Sequence, residues 1–196
     1  NAEQHRKNYV GKPAEWIRLF KATVNYCRDK GFNIVSIAPF NEADFTNWNQ
    51  GTMSDFKEIC RLMQEDEFFE GIRVSGGNTL NCDEALKWYN GLSPYLDEGN
   101  THQLAGSFDN YAKFFETVRA NGHYATADEL HNVMEAMVGV EYGMQSGIWW
   151  GFDGRGLPMA RTAHTGQQPR YTACPTDAYS SSAAPRSDRP TTHHTA

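Results

Sequence analysis

The stretch FNIVSIAPFNE, residues 32–42, decides how the rest of this chain is read. An apolar run from Ile34 to Ala38 ends at Pro39, and Asn41 and Glu42 follow at once. Continuous apolar runs of this length, bounded by breakers, belong to strands buried on both faces of a parallel sheet. Residues 32–39 therefore predict a buried strand whose exit carries an amide and a carboxylate side by side. Phe40, Phe45 and Trp48 cluster around that exit.

Working outward, the same cadence repeats on both sides. Residues 13–29 place Trp16, Leu19, Phe20, Thr23, Val24 and Cys27 at helical spacing, with Pro13 suited to a first turn and Gly31 to a stop. A helix over 54–65 buries Phe56, Ile59, Cys60, Leu62 and Met63, with Ser54 as its N-cap. A short strand at 71–75 ends in Gly76-Gly77-Asn78. Then come a helix at 83–90, an extended segment at 102–107, and a helix at 110–120 that turns Tyr111, Phe114, Phe115 and Val118 inward. A strand at 123–127, a helix at 131–142 on Val133, Met134, Met137, Val138 and Tyr142, and a strand at 145–150 complete the series. Strands that alternate with helices make a parallel α/β sheet of right-handed crossovers, with about five strands.

After Pro158 the composition changes to Thr, Ser, Ala, Pro and Arg, with few aliphatics. Residues 1–157 are thus read as one α/β domain and residues 158–196 as an irregular tail that cannot bury a core of its own. The whole chain holds 196 residues, with 18 basic and 24 acidic side chains for a net charge of −6 and no basic cluster. That balance argues against nucleic acid or an anionic membrane as partner. No signal peptide and no apolar stretch of membrane-spanning length is read. Cys27, Cys60, Cys82 and Cys174 lack metal-ligand or redox spacing and read as buried thiols.

In parallel α/β folds the chemistry collects at the carboxyl ends of the strands. Three predicted ends carry candidates: Asn41-Glu42 after 32–39, Asp128-Glu129-Leu130-His131 after 123–127, and Trp149-Trp150 at 145–150. Two carboxyls facing each other across a cleft suit cleavage of a glycosidic bond. One gives a proton to the leaving oxygen, and the other attacks the anomeric carbon when the pair lies about 5 Å apart, whereas at about 6.5–9.5 Å the pair leaves room for water and inverts. The partner expected for Glu42 is therefore a carboxylate at the exit of 123–127.

A strand ending in Pro-Phe-Asn-Glu, a later strand ending in Glu and a final strand ending in Trp resemble strands four to eight of a clan A glycoside hydrolase. That resemblance implies a partial TIM-type barrel, an incomplete (β/α)8, with a retaining two-glutamate mechanism and no cofactor. It maps residues 32–39 to strand four, 71–75 and 102–107 to five and six, 123–127 to seven and 145–150 to eight. It assigns Glu42 as acid/base, Glu129 as nucleophile and Asn41 as the amide that holds a sugar hydroxyl. The implied substrate is a β-linked oligo- or polysaccharide such as β-glucan, cleaved in β-glucosidase or endo-β-glucanase fashion. Such a substrate suits a secreted or periplasmic protein, while the compartment stays open.

Other residues carry two readings each. Glu42 can be a solvated loop acid, and Glu129 a helix N-terminal carboxylate. Asp128 should point away from Glu129 if the pleat persists and is read as structural; Glu84, Glu135 and Glu141 are read as surface. His102 and His131 are candidates for sugar hydroxyls or for structural bonds. Trp149 is preferred to its neighbour Trp150 as a sugar platform, and Trp48 is a further subsite candidate. No histidine pair has metal-ligand spacing, and neither a phosphate loop nor a nucleophile elbow is present. Besides an enzyme, a carbohydrate-binding half-barrel without turnover and a purely structural fragment fit the same residues. Two open sheet edges predict a homodimer or higher homo-oligomer.

Overall fold

Helix α1 spans Pro13–Asp29, with proline in its first turn and Trp16 and Val24 buried. It belongs to a computed structural model that describes residues 9–150. The tail read at 158–196, the end of the domain read to 157, and Cys174 lie outside the described residues. Strand β1 (Ser36–Ile37) follows, then α2 (Met53–Glu65), β2 (Arg73–Asn81), α3 (Ala85–Leu92), β3 (Glu98–Ala105), α4 (Phe108–Ala120), β4 (Tyr124–Leu130), α5 (Val133–Glu141) and β5 (Ser146–Trp149). The five strands lie side by side in chain order, and every pairing is parallel. Alternating strand and helix with sequential parallel pairing curls the sheet into a half-barrel. The fold class read from the sequence is the one observed.

The core lies between the sheet and its helices. Phe56, Ile59, Cys60 and Met63 from α2, Tyr89 and Leu92 from α3, and Tyr111, Phe114, Phe115 and Val118 from α4 are almost wholly buried. Each large side chain so buried contributes roughly 1.5–3 kcal/mol relative to exposure. The rings interlock edge to face, as in Tyr111–Phe115 at 4.7 Å and Tyr89–Phe114 at 5.8 Å between centroids. Gly99 of β3 exists for this packing, since a Cβ there would sit 2.4 Å from Val118 Cγ2. Burial pushes the thiols of Cys60 and Cys82 up to about 12, so neither is a nucleophile at neutral pH.

Several sequence expectations are corrected. The strand expected over 32–39 is short and lies at the sheet edge, with Phe32 and Val35 exposed. Among the described residues only one neighbour pairs with it, and Pro39 has no N–H to continue a ladder. Strand β2 runs straight through Gly76-Gly77, because a Cβ at Gly76 would strike Leu96 at 2.7 Å and one at Gly77 the Asn100 carbonyl at 2.6 Å. Those glycines serve close approach, not termination. Strand β3 begins earlier than expected, at Glu98, because polar cross-strand pairs rather than apolar residues cover its inner face. Glu98 accepts from Arg73 Nε at 2.9 Å and from Ser36 Oγ at 3.1 Å, and Thr79 meets Thr101 at 2.9 Å.

Helix α2 is capped by Thr52, not Ser54, through a reciprocal box with Asp55. Helix α5 is turned over relative to its reading. It buries Glu135 and Gly139 and leaves Val133, Met134, Met137 and Val140 exposed. Glu135 was expected on the surface and is instead 1% exposed. Its carboxylate folds back on the helix start, accepting from the His131 N–H at 2.7 Å and the Asn132 amide at 2.5 Å. Among the described residues, no helix is long and apolar enough to cross a membrane.

Candidate active site

The loop leaving β1 is anchored before it presents anything. Phe40 is buried and stacks on Phe56 of α2 with ring centroids 4.2 Å apart. Asp44 accepts from the backbone N–H groups of Leu80 and Asn81 at 2.8 and 3.0 Å, which clamps the loop to the end of β2. Gln50 bonds the backbone of Asn41, donating to its carbonyl and accepting from its N–H. Between these anchors Glu42 takes a left-handed backbone, φ 50°, and its N–H donates to the Asn78 carbonyl at 2.8 Å. Left-handed backbone at a residue other than glycine marks a place where surroundings dictate conformation.

The side chain of Glu42 is thereby held inside the curl of the sheet, only 4% exposed. Its Oε1 lies 3.0 Å from His102 Nδ1, and His102 Nε2 lies 2.9 Å from Asp128 Oδ1. Asp128 Oδ2 accepts from the Asn78 amide at 3.3 Å, and the Asp128 N–H donates to Asn100 Oδ1 at 3.3 Å. Four neighbouring segments thus converge on one polar cluster: the β1 exit, β2, β3 and β4. Asp128 was read as pointing away. The register of β4 against β5 shifts between Ala127 and Leu130, which interrupts the pleat where Asp128 and Glu129 sit. Both carboxylates therefore reach the same cluster.

Glu129 is the second acid. A carboxylate oxygen of Glu42, a ring nitrogen of His102 and a carboxylate oxygen of Glu129 all lie within 4.8 Å of one another. Burial holds the Glu129 carboxyl above the usual range; the His102 charge opposes this, while Glu42 and Asp128 add to it. For Asp128 the opposite result emerges. Burial alone would raise it, but the hydrogen bond and charge of His102 and the Asn100 contact bring it below the usual range. His131 follows, with Nε2 at 3.9 Å from Glu129 Oε2 and Nδ1 at 3.5 Å from Glu135 Oε2 without hydrogen-bond geometry.

The remaining sequence candidates are distributed as follows. Asn41 is half-buried beside Glu42. Trp48 is 45% exposed in a short 3-10 turn, edge-on to Phe45. Trp149 packs partly buried against the core, whereas Trp150 is 62% exposed. His102, a candidate for sugar contact, is wholly buried with both nitrogens engaged by carboxylates. Sequence reasoning missed Asn78, Asn100 and the part played by Asp128. Buried asparagines on consecutive strands were the available signal, and only register could pair them.

Glu42, His102 and Glu129 are of the donor types that hold transition-metal ions. Both ring nitrogens of His102 already face carboxylate oxygens, so an ion would have to displace Glu42 or Asp128 to reach one. A separate cleft of about 460 Å³, lined by Gln64, Phe69, Ile72, Arg73 and Asp97 among others, lies at the amino ends of β2 and β3. That end of a barrel carries stability, and the paired acids lie at the other.

No protein-family model matches the chain, and no curated protein matches it by sequence. Among solved structures it is similar to a GH30 endoxylanase from Clostridium papyrosolvens C71, with a TM-score of 0.53 and 18% sequence identity. The match covers 71% of this chain and 40% of that one, so the chain spans less than half the length of that enzyme. At this identity the likeness is one of fold.

Proposed function

We propose that this chain carries the catalytic side of a retaining glycoside hydrolase for β-linked glucans or related plant polysaccharides. Glu42 is the acid/base and Glu129 the nucleophile. The observation that carries this reading is the approach of the two carboxylates within 4.8 Å inside the curled sheet. An approach of one oxygen from each group at this range suits the separation of a retaining pair, about 5–5.5 Å, better than that of an inverting one, about 6.5–9.5 Å. Burial works against the ionised Glu129 that attack requires, and the His102 charge beside it works in favour. Asn41 is proposed to hold a sugar hydroxyl, with Trp48, Trp149 and His131 along the substrate path. The half-exposed ring of Trp48 supports its place.

In the first step a Glu42 carboxyl protonates the glycosidic oxygen while Glu129 bonds the anomeric carbon. Water then displaces Glu129, giving its proton to the Glu42 carboxylate. A screen of aryl β-glycosides, soluble β-glucan and, after the name of the structural neighbour, β-xylan tests the reading. Hydrolysis that vanishes in Glu129→Gln, with the product released in the β-configuration, is the expected result. Sugar binding with no turnover on any substrate would replace this function with that of a carbohydrate-binding half-barrel.

A further inference from the structure

His102 presents a counting problem. It is 0% exposed, and carboxylate oxygens lie 3.0 Å from Nδ1 and 2.9 Å from Nε2. A neutral imidazole has one N–H, so it satisfies both contacts only if Glu42 carries its proton on Oε1, facing the ring and turned away from a glycosidic oxygen. With that proton on Oε2, where it can be donated to substrate, a bare ring lone pair is set against Oε1 or against Asp128. A second proton on the ring satisfies both. The Asp128 carboxylate receives two further constraints, the Asn78 amide on Oδ2 and the Asn100 contact at its backbone, and these fix it toward the ring.

We propose that His102 is a standing imidazolium, fixed by Asp128, that disperses the charge Glu42 acquires on donating its proton. The proposal rests on the acid/base reading of Glu42 above and gives that site a positioning residue. In the first step the carboxyl O–H bond of Glu42 breaks and the proton joins the glycosidic oxygen. The C–O bonding pair passes to that oxygen, and a Glu129 lone pair forms the new bond to carbon. His102 keeps both protons throughout. Its Nδ1–H faces a neutral carboxyl before the step and a carboxylate after it, so the bond becomes charge-assisted as the reaction advances. In the second step water's proton returns to Glu42 and the Glu129–carbon pair returns to Glu129.

The titratable groups facing the ring are Glu42 from the β1 exit and Asp128 and Glu129 from β4, with His131 beyond Glu129. Burial opposes the ring's charge. The hydrogen bond and charge of Asp128, then Glu42 and Glu129, outweigh it and hold the ring above the ordinary histidine range.

Nitrogen-15 NMR of the full chain tests the charge state directly. Both ring nitrogens of His102 should remain protonated at pH 7 and above, and in Asp128→Asn the ring should lose its proton at lower pH. A neutral ring at pH 7 in the wild-type protein would overturn the proposal. In kinetics, the basic limb of the kcat/KM profile reports the proton on the acid. It should move to higher pH in both His102→Gln and Asp128→Asn, with activity at the wild-type optimum down on the order of 10- to 100-fold. A lowered profile with an unmoved basic limb would mean a purely structural histidine and would also overturn it. Should His102→Gln not fold, the wild-type and Asp128→Asn spectra decide alone. The NMR result is independent of turnover, so its failure is distinct from failure of the glycosidase reading.

Discussion

The backbone N–H of Glu42 donates to the Asn78 carbonyl at 2.8 Å, and both residues hold left-handed backbone, at φ 50° and 33°. Asn78 sits where β2 shifts register against β3, and its side chain also donates to Asp128. One residue therefore fixes the backbone of the proposed acid/base and the orientation of the carboxylate behind His102.

Asn78→Ala should lose on both counts. The lost amide leaves Asp128 short of a donor, at about 1–3 kcal/mol, and alanine in left-handed backbone adds roughly 1–2 kcal/mol. Asn78→Gly removes the amide but keeps the backbone at ease. Urea denaturation should find glycine the milder change; equal losses would show that the backbone conformation contributes nothing.

The two proposed acids should respond differently to the leaving group. Glu129→Ala should abolish hydrolysis, with azide partly restoring it on an activated aryl glycoside by standing in for the nucleophile. Glu42→Ala should harm poor leaving groups far more than good ones, by about 10²–10⁴-fold where protonation is needed. Uniform losses across leaving groups would remove Glu42 from the acid role.

Folding stability should depend on pH through the same cluster. His102 is raised in the folded state, so its contribution is full below its ordinary value of about 6.5 and is lost as pH rises through the folded value. Asp128 is lowered, so its contribution is present above about 3.9 and is lost as pH falls through its folded value. Both act together between roughly pH 4 and 6.5. Thermal melts of wild type and Asp128→Asn across this range should differ most inside that window and converge at lower pH. A pH-independent difference would place the effect in packing alone.

Glu129, raised mainly by burial, behaves oppositely to Asp128: its ionisation weakens the fold as pH climbs through the carboxylate range. Glu129→Gln should therefore melt higher than wild type at pH 7 and lose that advantage in acid. Such a gain at the expense of turnover is what a strained functional group produces. A variant that melts lower at pH 7 would argue against this.

We also propose that the chain self-associates. Among the described residues β1 and β5 are the edge strands, and Met137 and Val140 of α5 with Ile148 and Trp150 at β5 are each more than 60% exposed. Unpaired strand edges beside apolar side chains are templates for another chain. Sedimentation should find a concentration-dependent dimer, weakened in Met137→Lys/Val140→Lys. A monomer at every concentration would exclude it.

The elements legible in the sequence are those whose signal is local. The stripe Tyr111, Phe114, Phe115 and Val118 repeats at helical spacing, and the helix buries those four side chains. Apolar runs alternating with such helices specify parallel strands in chain order, and Asn41-Glu42 at a strand exit marked the place to look for chemistry. What only the tertiary structure decided is relative position. The apolar residues of α5 have helical period, but period cannot say which face meets the sheet, and there Glu135 and Gly139 turn inward. The polar lining of β2 and β3 has no hydrophobic signature, since its burial is made good by partners on other strands. Whether Asp128 meets His102 depends on a register shift in β4, and a shift of one residue exchanges the faces of a strand. Local free energies favour each helix and strand separately, whereas the cluster of Glu42, His102, Asp128 and Glu129 exists only once all the strands are in register.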